Sequence, residues 1–201
     1  MAMSAGARGG GRPALVLASS SPQRRALLQR LGVPFSVRVP EASELSCGDP
    51  LRLARENALR KARAALAPGA REVVVGCDTL VALDGVIYGK PAGERQARET
   101  LRALSGAEHE VVSGLALLFG AEPERERTAI ARTGVSFREL SAELLDWYLA
   151  TGEWRGRAGA YAIQGAGAAL VRGVRGDYEN VVGLPLASLL DLYPELLTPR
   201  S

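Results

Sequence analysis

Leu15-Val16-Leu17-Ala18-Ser19-Ser20-Ser21-Pro22-Gln23-Arg24-Arg25 is the stretch from which the architecture is read. The four apolar residues make a short buried strand. Ser21 is a good helix cap and Pro22 suits the first helical position. Leu27, Leu28 and Leu31 then recur at helical spacing, and Gly32 ends the helix. The strand–helix unit recurs further on. Pro50–Leu66 predicts a helix with Leu51, Ala54, Ala58 and Ala62 on one face. Val73-Val74-Val75-Gly76-Cys77 predicts a buried strand that delivers Asp78-Thr79 at its end. Asp84-Gly85 between Leu80–Leu83 and Val86–Tyr88 is a hairpin turn, and Glu94–Leu104 is a helix. Glu110–Phe119 and Glu126–Phe137 read as long strands joined by a polar turn at Gly120–Glu124. A Ser141-capped helix follows, then a Gly/Ala-rich segment over Ala158–Val174 ending in a strand. A terminal helix over Val181–Leu192 is interrupted at Gly183-Leu184-Pro185. Alternating strands and helices with long antiparallel strands in the second half predict an α/β fold on a mixed sheet. Residues 1–12 read as a disordered Gly/Ala/Arg tail and 13–201 as a single domain.

Composition removes several chemistries. The 201 residues hold one His and two Cys, so neither a multi-His zinc site nor a Cys-rich one can be built. Carboxylates, Lys, Arg, hydroxyls and an oxygen-bound metal remain. The net charge of +3 draws two charges from Arg8 and Arg12 of the acid-free tail. The other basic residues are scattered among acids, with few aromatics, which argues against a nucleic-acid polymer as partner. No apolar run reaches membrane-spanning length, so no membrane partner is expected. Two cysteines without a disulfide framework fit a reducing cytoplasm.

Several constellations could carry chemistry. The Ser19–Arg25 turn offers hydroxyls, open helix N–H groups and two guanidinium groups, Arg24 and Arg25. It would suit a phosphate, or be an ordinary capped helix. Asp78 could bind a divalent metal, act on water as a base, or cap a turn. Only two of the 25 basic residues are Lys, Lys61 and Lys90, each a compact charge suited to phosphate. Gln164, in a run of small residues, could pair with the edge of a base. His109, between Glu108 and Glu110 at a strand start, reads as a surface residue, and Cys77 as a buried, inert thiol.

Six ordered blocks resemble the Maf family of nucleoside triphosphate pyrophosphatases: Leu17 to Leu28, Gly76-Cys77-Asp78-Thr79, Gly89-Lys90-Pro91, Leu104-Ser105-Gly106, Ala158 to Gly165, and Asn180 to Pro185. The resemblance implies an inosine-triphosphatase-like fold, with two lobes around a cleft. It implies hydrolysis of a nucleoside triphosphate to the monophosphate and pyrophosphate with Mg²⁺ or Mn²⁺, and a possible homodimer. By the same resemblance Asp78 is the proton acceptor, Ser21 and Arg24 bind phosphate, and Glu44 is the acidic loop residue that joins Asp78 at the metal. Lys90 is the hairpin lysine. The family's helix lysine could fall on Asn57 or on Lys61. Lys61, 17 residues before Asp78, fits the family's spacing. Thr79 and Gln164 side with the dTTP/UTP branch and would hydrogen-bond the pyrimidine edge. Gln23 stands where that branch usually has Arg, Ala162 where it has Gly, and Arg157 where it has Lys. Gln23 bears on base selection and leaves open a broader clearance of modified pyrimidine nucleotides. A nucleotide-binding regulator of cell division is a further reading.

Overall fold

The computed structural model describes residues 12–198, apart from the side chains of residues 123 and 124. The tail expected over 1–12 therefore lies outside the described residues but for Arg12. That residue is tied down: its guanidinium donates to the carbonyls of Leu196 and Thr198.

Strand β1 (Ala14–Ala18) runs into helix α1 (Pro22–Arg30), with Ser21 as cap and Pro22 at its first position, as its sequence predicts. After β2 (Phe35–Val37) a long loop leads to helix α2 (Pro50–Ala65), capped by Asp49. Then come β3 (Glu72–Leu83), β4 (Val86–Tyr88), α3 (Glu94–Leu104), β5 (Glu108–Phe119) and β6 (Glu122–Phe137). Helix α4 (Ala142–Thr151), two short 3₁₀ turns, β7 (Val171–Arg175), α5 (Tyr178–Val182) and α6 (Leu186–Leu192) complete the order.

The sheet has seven strands in the order β2-β1-β3-β5-β6-β7, with β4 on β3. β1 runs parallel to β2 and β3, and the remaining pairs are antiparallel. This is the mixed sheet that the long second-half strands imply. One expectation changes: β3 does not stop at Cys77 but continues through Asp78-Thr79 to Leu83. The cause is β5, which pairs with it from Val73↔Phe119 to Ala82↔Glu110 and satisfies its backbone throughout. The β5–β6 turn is also tighter than expected, because β6 starts at Glu122. Asp84 and Gly85 take φ of 50° and 78°, as the hairpin requires.

Apolar alternation along β1, β3 and β5 fills both faces. α2 covers Val16, Ala18, Val74 and Ala116. Leu27 and Leu28 of α1 and Leu189 of α6 cover Leu15, Leu17, Val75 and Leu117 on the other face. A third cluster, with Leu101, Leu104, Tyr148 and Phe137, packs on the far half of β3 and β5 around Val81 and Val111.

His109 corrects its expected place at the surface. It has no exposed area, meets Phe137 and Tyr161 edge-on, and its Nε2 lies 3.0 Å from the Tyr161 hydroxyl. Strand alternation explains this: Glu108 and Glu110 point outward, so the residue between them points in. Cys77 is buried, as expected, and Cys47 is exposed; neither forms a disulfide. Among the described residues, no helix is long and apolar enough to cross a membrane.

Candidate active site

A cleft of about 620 Å³ lies between the cluster under α1 and the cluster under α3 and α4. Its walls come from the start of α1, the loop before α2, the end of β4 and the 3₁₀ turns after α4. Ser21, Gln23, Arg24, Glu44, Lys61 and Lys90 all line it, as do Thr79 and Gln164. Sequence-distant residues therefore meet in one space.

At the start of α1 the Ser21 hydroxyl accepts from the Arg24 N–H at 3.4 Å and donates to Gln23 Oε1 at 3.1 Å. Arg24 is buried. Its Nε donates to the Gly183 carbonyl at 2.8 Å, Nη1 to Ser19 Oγ at 3.1 Å and Nη2 to Thr79 Oγ1 at 3.1 Å. All three acceptors are neutral. Arg25 departs from expectation: it is exposed and does not line the cleft. One helical residue is a turn of about 100°, so a neighbour of Arg24 cannot share its face.

Asp78 sits within β3 and is 5% exposed. Lys61 Nζ lies 2.6 Å from Asp78 Oδ1 and 2.7 Å from Glu44 Oε1, linking the two carboxylates. Lys61 lines the cleft with Asp78 behind it. Asn57, one helical turn earlier, donates to Asp78 Oδ2 at 3.1 Å. Both positions open to the family lysine thus lie against Asp78. Lys90 is exposed at the end of the hairpin and, among the described residues, pairs with no carboxylate.

Thr79 corrects a second expectation. Its hydroxyl already lies within reach of Arg24, of Ser113 Oγ at 2.8 Å and of the Gly183 carbonyl at 3.3 Å. A hydroxyl has one donor and two acceptor sites, so these partners occupy it. It braces Arg24 rather than facing a base edge. Gln164 is exposed on the opposite wall, its amide available. Burial pushes the neighbouring Cys77 thiol up, which keeps it protonated.

Ser113 and Glu153 join the site without a signal in the sequence, and the bonds made by Asn57, Ser19 and the Gly183 carbonyl emerge only in the fold. Asn57, Ser19, Ser113 and the Gly183 carbonyl fix the charged groups, and Arg157 and Glu153 line the cleft. For Asn57 a signal existed: an amide four residues before Lys61 must share its helix face. Ser19 acts locally, five residues from Arg24, whereas Ser113 and the Gly183 carbonyl act across the fold and leave no local trace.

The architecture has a counterpart among solved structures. A HAM1 protein from Coxiella burnetii superposes with a TM-score of 0.50 at 18% identity, over 91% of this chain and 99% of that one. The fold is thus HAM1-like, an α/β architecture that here holds a polar, cation-lined cleft. The Maf-like protein model matches residues 14–196, and the chain belongs to the Maf family. A dTTP/UTP pyrophosphatase of Symbiobacterium thermophilum is 49% identical over 176 residues, 86% of this chain and 88% of that protein. The dTTP/UTP pyrophosphatase of Anaeromyxobacter dehalogenans is 48% identical over 182 residues, 87% of this chain and 90% of that protein.

Proposed function

We propose that this protein hydrolyses dTTP and UTP to the monophosphate and pyrophosphate. The observation that carries the reading is one cleft lined by Lys61, with the Asp78 carboxylate directly behind it, and by two cations that pair with no carboxylate among the described residues, Arg24 and Lys90. Names of relatives such as the Symbiobacterium thermophilum protein support the substrate class.

The triphosphate lies across the α1 start, where Ser21 and the Arg24 guanidinium bind phosphate oxygens. Lys90 and Lys61 neutralise the remaining charge. Asp78 orients a water and takes its proton as the water oxygen bonds to the α-phosphorus. The bond from that phosphorus to the bridging oxygen breaks, and pyrophosphate leaves with the electron pair. Gln164 pairs with the pyrimidine edge across the cleft. Thr79 serves by holding Arg24 in place for the phosphates.

The donor set suits a hard divalent cation. Asp78 and Glu44 present oxygen ligands on either side of one ammonium, and Mg²⁺ is held by one or two carboxylates plus phosphate and water. Such an ion, Mg²⁺ or Mn²⁺, would supply charge neutralisation and polarisation of the phosphate oxygens. The same reading places the protein in the cytoplasm, where the exposed Cys47 thiol stays reduced, and assembles it as a homodimer, which light scattering checks.

Gln23 favours a second reading with a wider range of pyrimidine nucleotides. A neutral amide, tied to Ser21 at 3.1 Å, stands where the branch has a cation. A panel of dTTP, UTP, CTP, GTP and 7-methyl-GTP with Mg²⁺ or Mn²⁺, read by pyrophosphate release, separates the two. Preference for dTTP and UTP supports the first reading. Comparable CTP turnover supports the second, and release from none supports a nucleotide-binding regulator. Asp78→Asn lowers kcat by at least about 10²-fold if Asp78 is the base; near-wild-type turnover would sink that assignment.

A further inference from the structure

Asn57 lies in the middle of α2, where Asn is a poorer helix former than Ala or Leu, and it is 1% exposed. Its amide is fully engaged. Oδ1 accepts from the Leu45 N–H at 2.8 Å, and Nδ2 donates to the Leu45 carbonyl at 3.0 Å and to Asp78 Oδ2 at 3.1 Å. The first two bonds grip one residue of the loop before α2 by both of its backbone groups. The neighbouring residue of that loop is Glu44, whose carboxylate meets Lys61 at 2.7 Å. The third bond takes one oxygen of Asp78, and Lys61 takes the other at 2.6 Å. A single buried amide thus joins the loop that carries Glu44 to the carboxylate on β3.

We propose that Asn57 is a positioning residue. It fixes the Asp78 carboxylate about its last torsion and holds Glu44 in place in the same act. This rests on the reading of Asp78 as the catalytic carboxylate. With Oδ2 held by Asn57 and Oδ1 by Lys61, the carboxylate plane is fixed, and the remaining lone pair of Oδ1 is the acceptor that meets the attacking water. Without the amide, Asp78 turns more freely and the Glu44 loop loses its anchor. Asn57 lies outside the lining of the cleft, so its removal acts on turnover rather than on nucleotide binding.

The test uses Asn57→Leu, which keeps the branched outline and the number of heavy atoms but removes the amide, compared with wild type for kcat, KM and Leu45 amide exchange by NMR. In the wild type the Leu45 N–H is protected although its residue is exposed. In Asn57→Leu, kcat falls roughly tenfold to a hundredfold while KM for dTTP stays within about threefold. Leu45 exchange speeds up by about tenfold, the worth of a lost hydrogen bond. Unprotected Leu45 in the wild type overturns the proposal without any variant, and so remains decisive if Asn57→Leu fails to fold. Wild-type kcat, a loss confined to KM, or unchanged Leu45 protection in the folded variant also overturns it. Asp78→Asn separates the two levels. If that variant is inactive while Asn57→Leu turns over normally, only the present proposal fails. If Asp78→Asn is active, the assignment of Asp78 fails first.

Discussion

Arg24 holds a positive charge in a buried place with only neutral acceptors around it. The Gly183 carbonyl, Ser19 and Thr79 orient the fork but leave the charge uncancelled, which is the condition for attracting an anion. Arg24→Lys keeps the charge and loses the three-way orientation. Its KM for dTTP is expected to rise at least about tenfold, in steady-state assays with circular dichroism to confirm folding. His109 shows the opposite solution, a titratable group kept neutral. Burial pushes its imidazole down from 6.5 to about 4, against the pull of the Glu108 charge. Between those values the unfolded chain binds a proton that the folded one does not. The contribution of neutral His109 is therefore complete above about pH 6.5, is lost as pH falls toward 4, and is flat below. The gap corresponds to roughly 3 kcal/mol. His109→Gln, which does not titrate but can still reach Tyr161, is expected to lose less stability than wild type between pH 7 and 4. Denaturant melts at each pH check this, and parallel curves would refute it. The alternation of Glu108, His109 and Glu110 already carried the inward direction of the ring, but reading it required knowing that the strand begins at Glu108.

Helix α2 can serve the site only because the sheet beneath it is bare. A Cβ on Gly76 would lie 2.2 Å from the Ala58 carbonyl oxygen, and one on Gly114 would lie 2.2 Å from that of Ala54. Gly114 is the register partner of Asp78, so the gap lies beside the carboxylate. Through it the helix backbone comes close enough for Asn57 and Lys61 to reach Asp78. Gly114→Ala is expected to cost about 1–3 kcal/mol by overpacking. It should also lower kcat, because the helix must lift away from β3. Thermal melts paired with turnover check both, and a stable, fully active variant would refute the account. The helices were legible from the Ser21-Pro22 cap of α1 and from the apolar spacing along α2, where the structure adds Asp49 as the cap. What stayed illegible was that β3 runs without a break through Asp78-Thr79 into the hairpin strand, since the pairing with β5 keeps that segment extended.

Across the molecule, the small net charge of +3 conceals a local excess of cations in the cleft. Arg24, Lys61, Lys90 and Arg157 line it against the carboxylates of Glu44 and Glu153, with Lys61 already paired to Glu44 and Asp78. Attraction for a polyanion therefore acts over a distance that salt shortens, from about 30 Å at 0.01 M to about 3 Å at 1 M ionic strength. KM for dTTP is expected to rise at least about threefold from low to high salt, with kcat nearly constant. A salt-independent KM would argue against the cations as the binding determinant. The mixed sheet was legible because strand and helix patterns are local. The site residues were named through six sequence blocks, but the hydrogen bonds among them were not. Thr79 facing Arg24, and Arg25 facing outward, follow only from the packed arrangement. β3 and β5 run unbroken from one side of the cleft to the other, from Val73↔Phe119 to Ala82↔Glu110. The two sides share a common beam, so they cannot swing like doors on a hinge without tearing that ladder. The cleft behaves as a gauge of nearly fixed span, which sets the length of molecule it accepts and leaves adjustment to the loops at its rim.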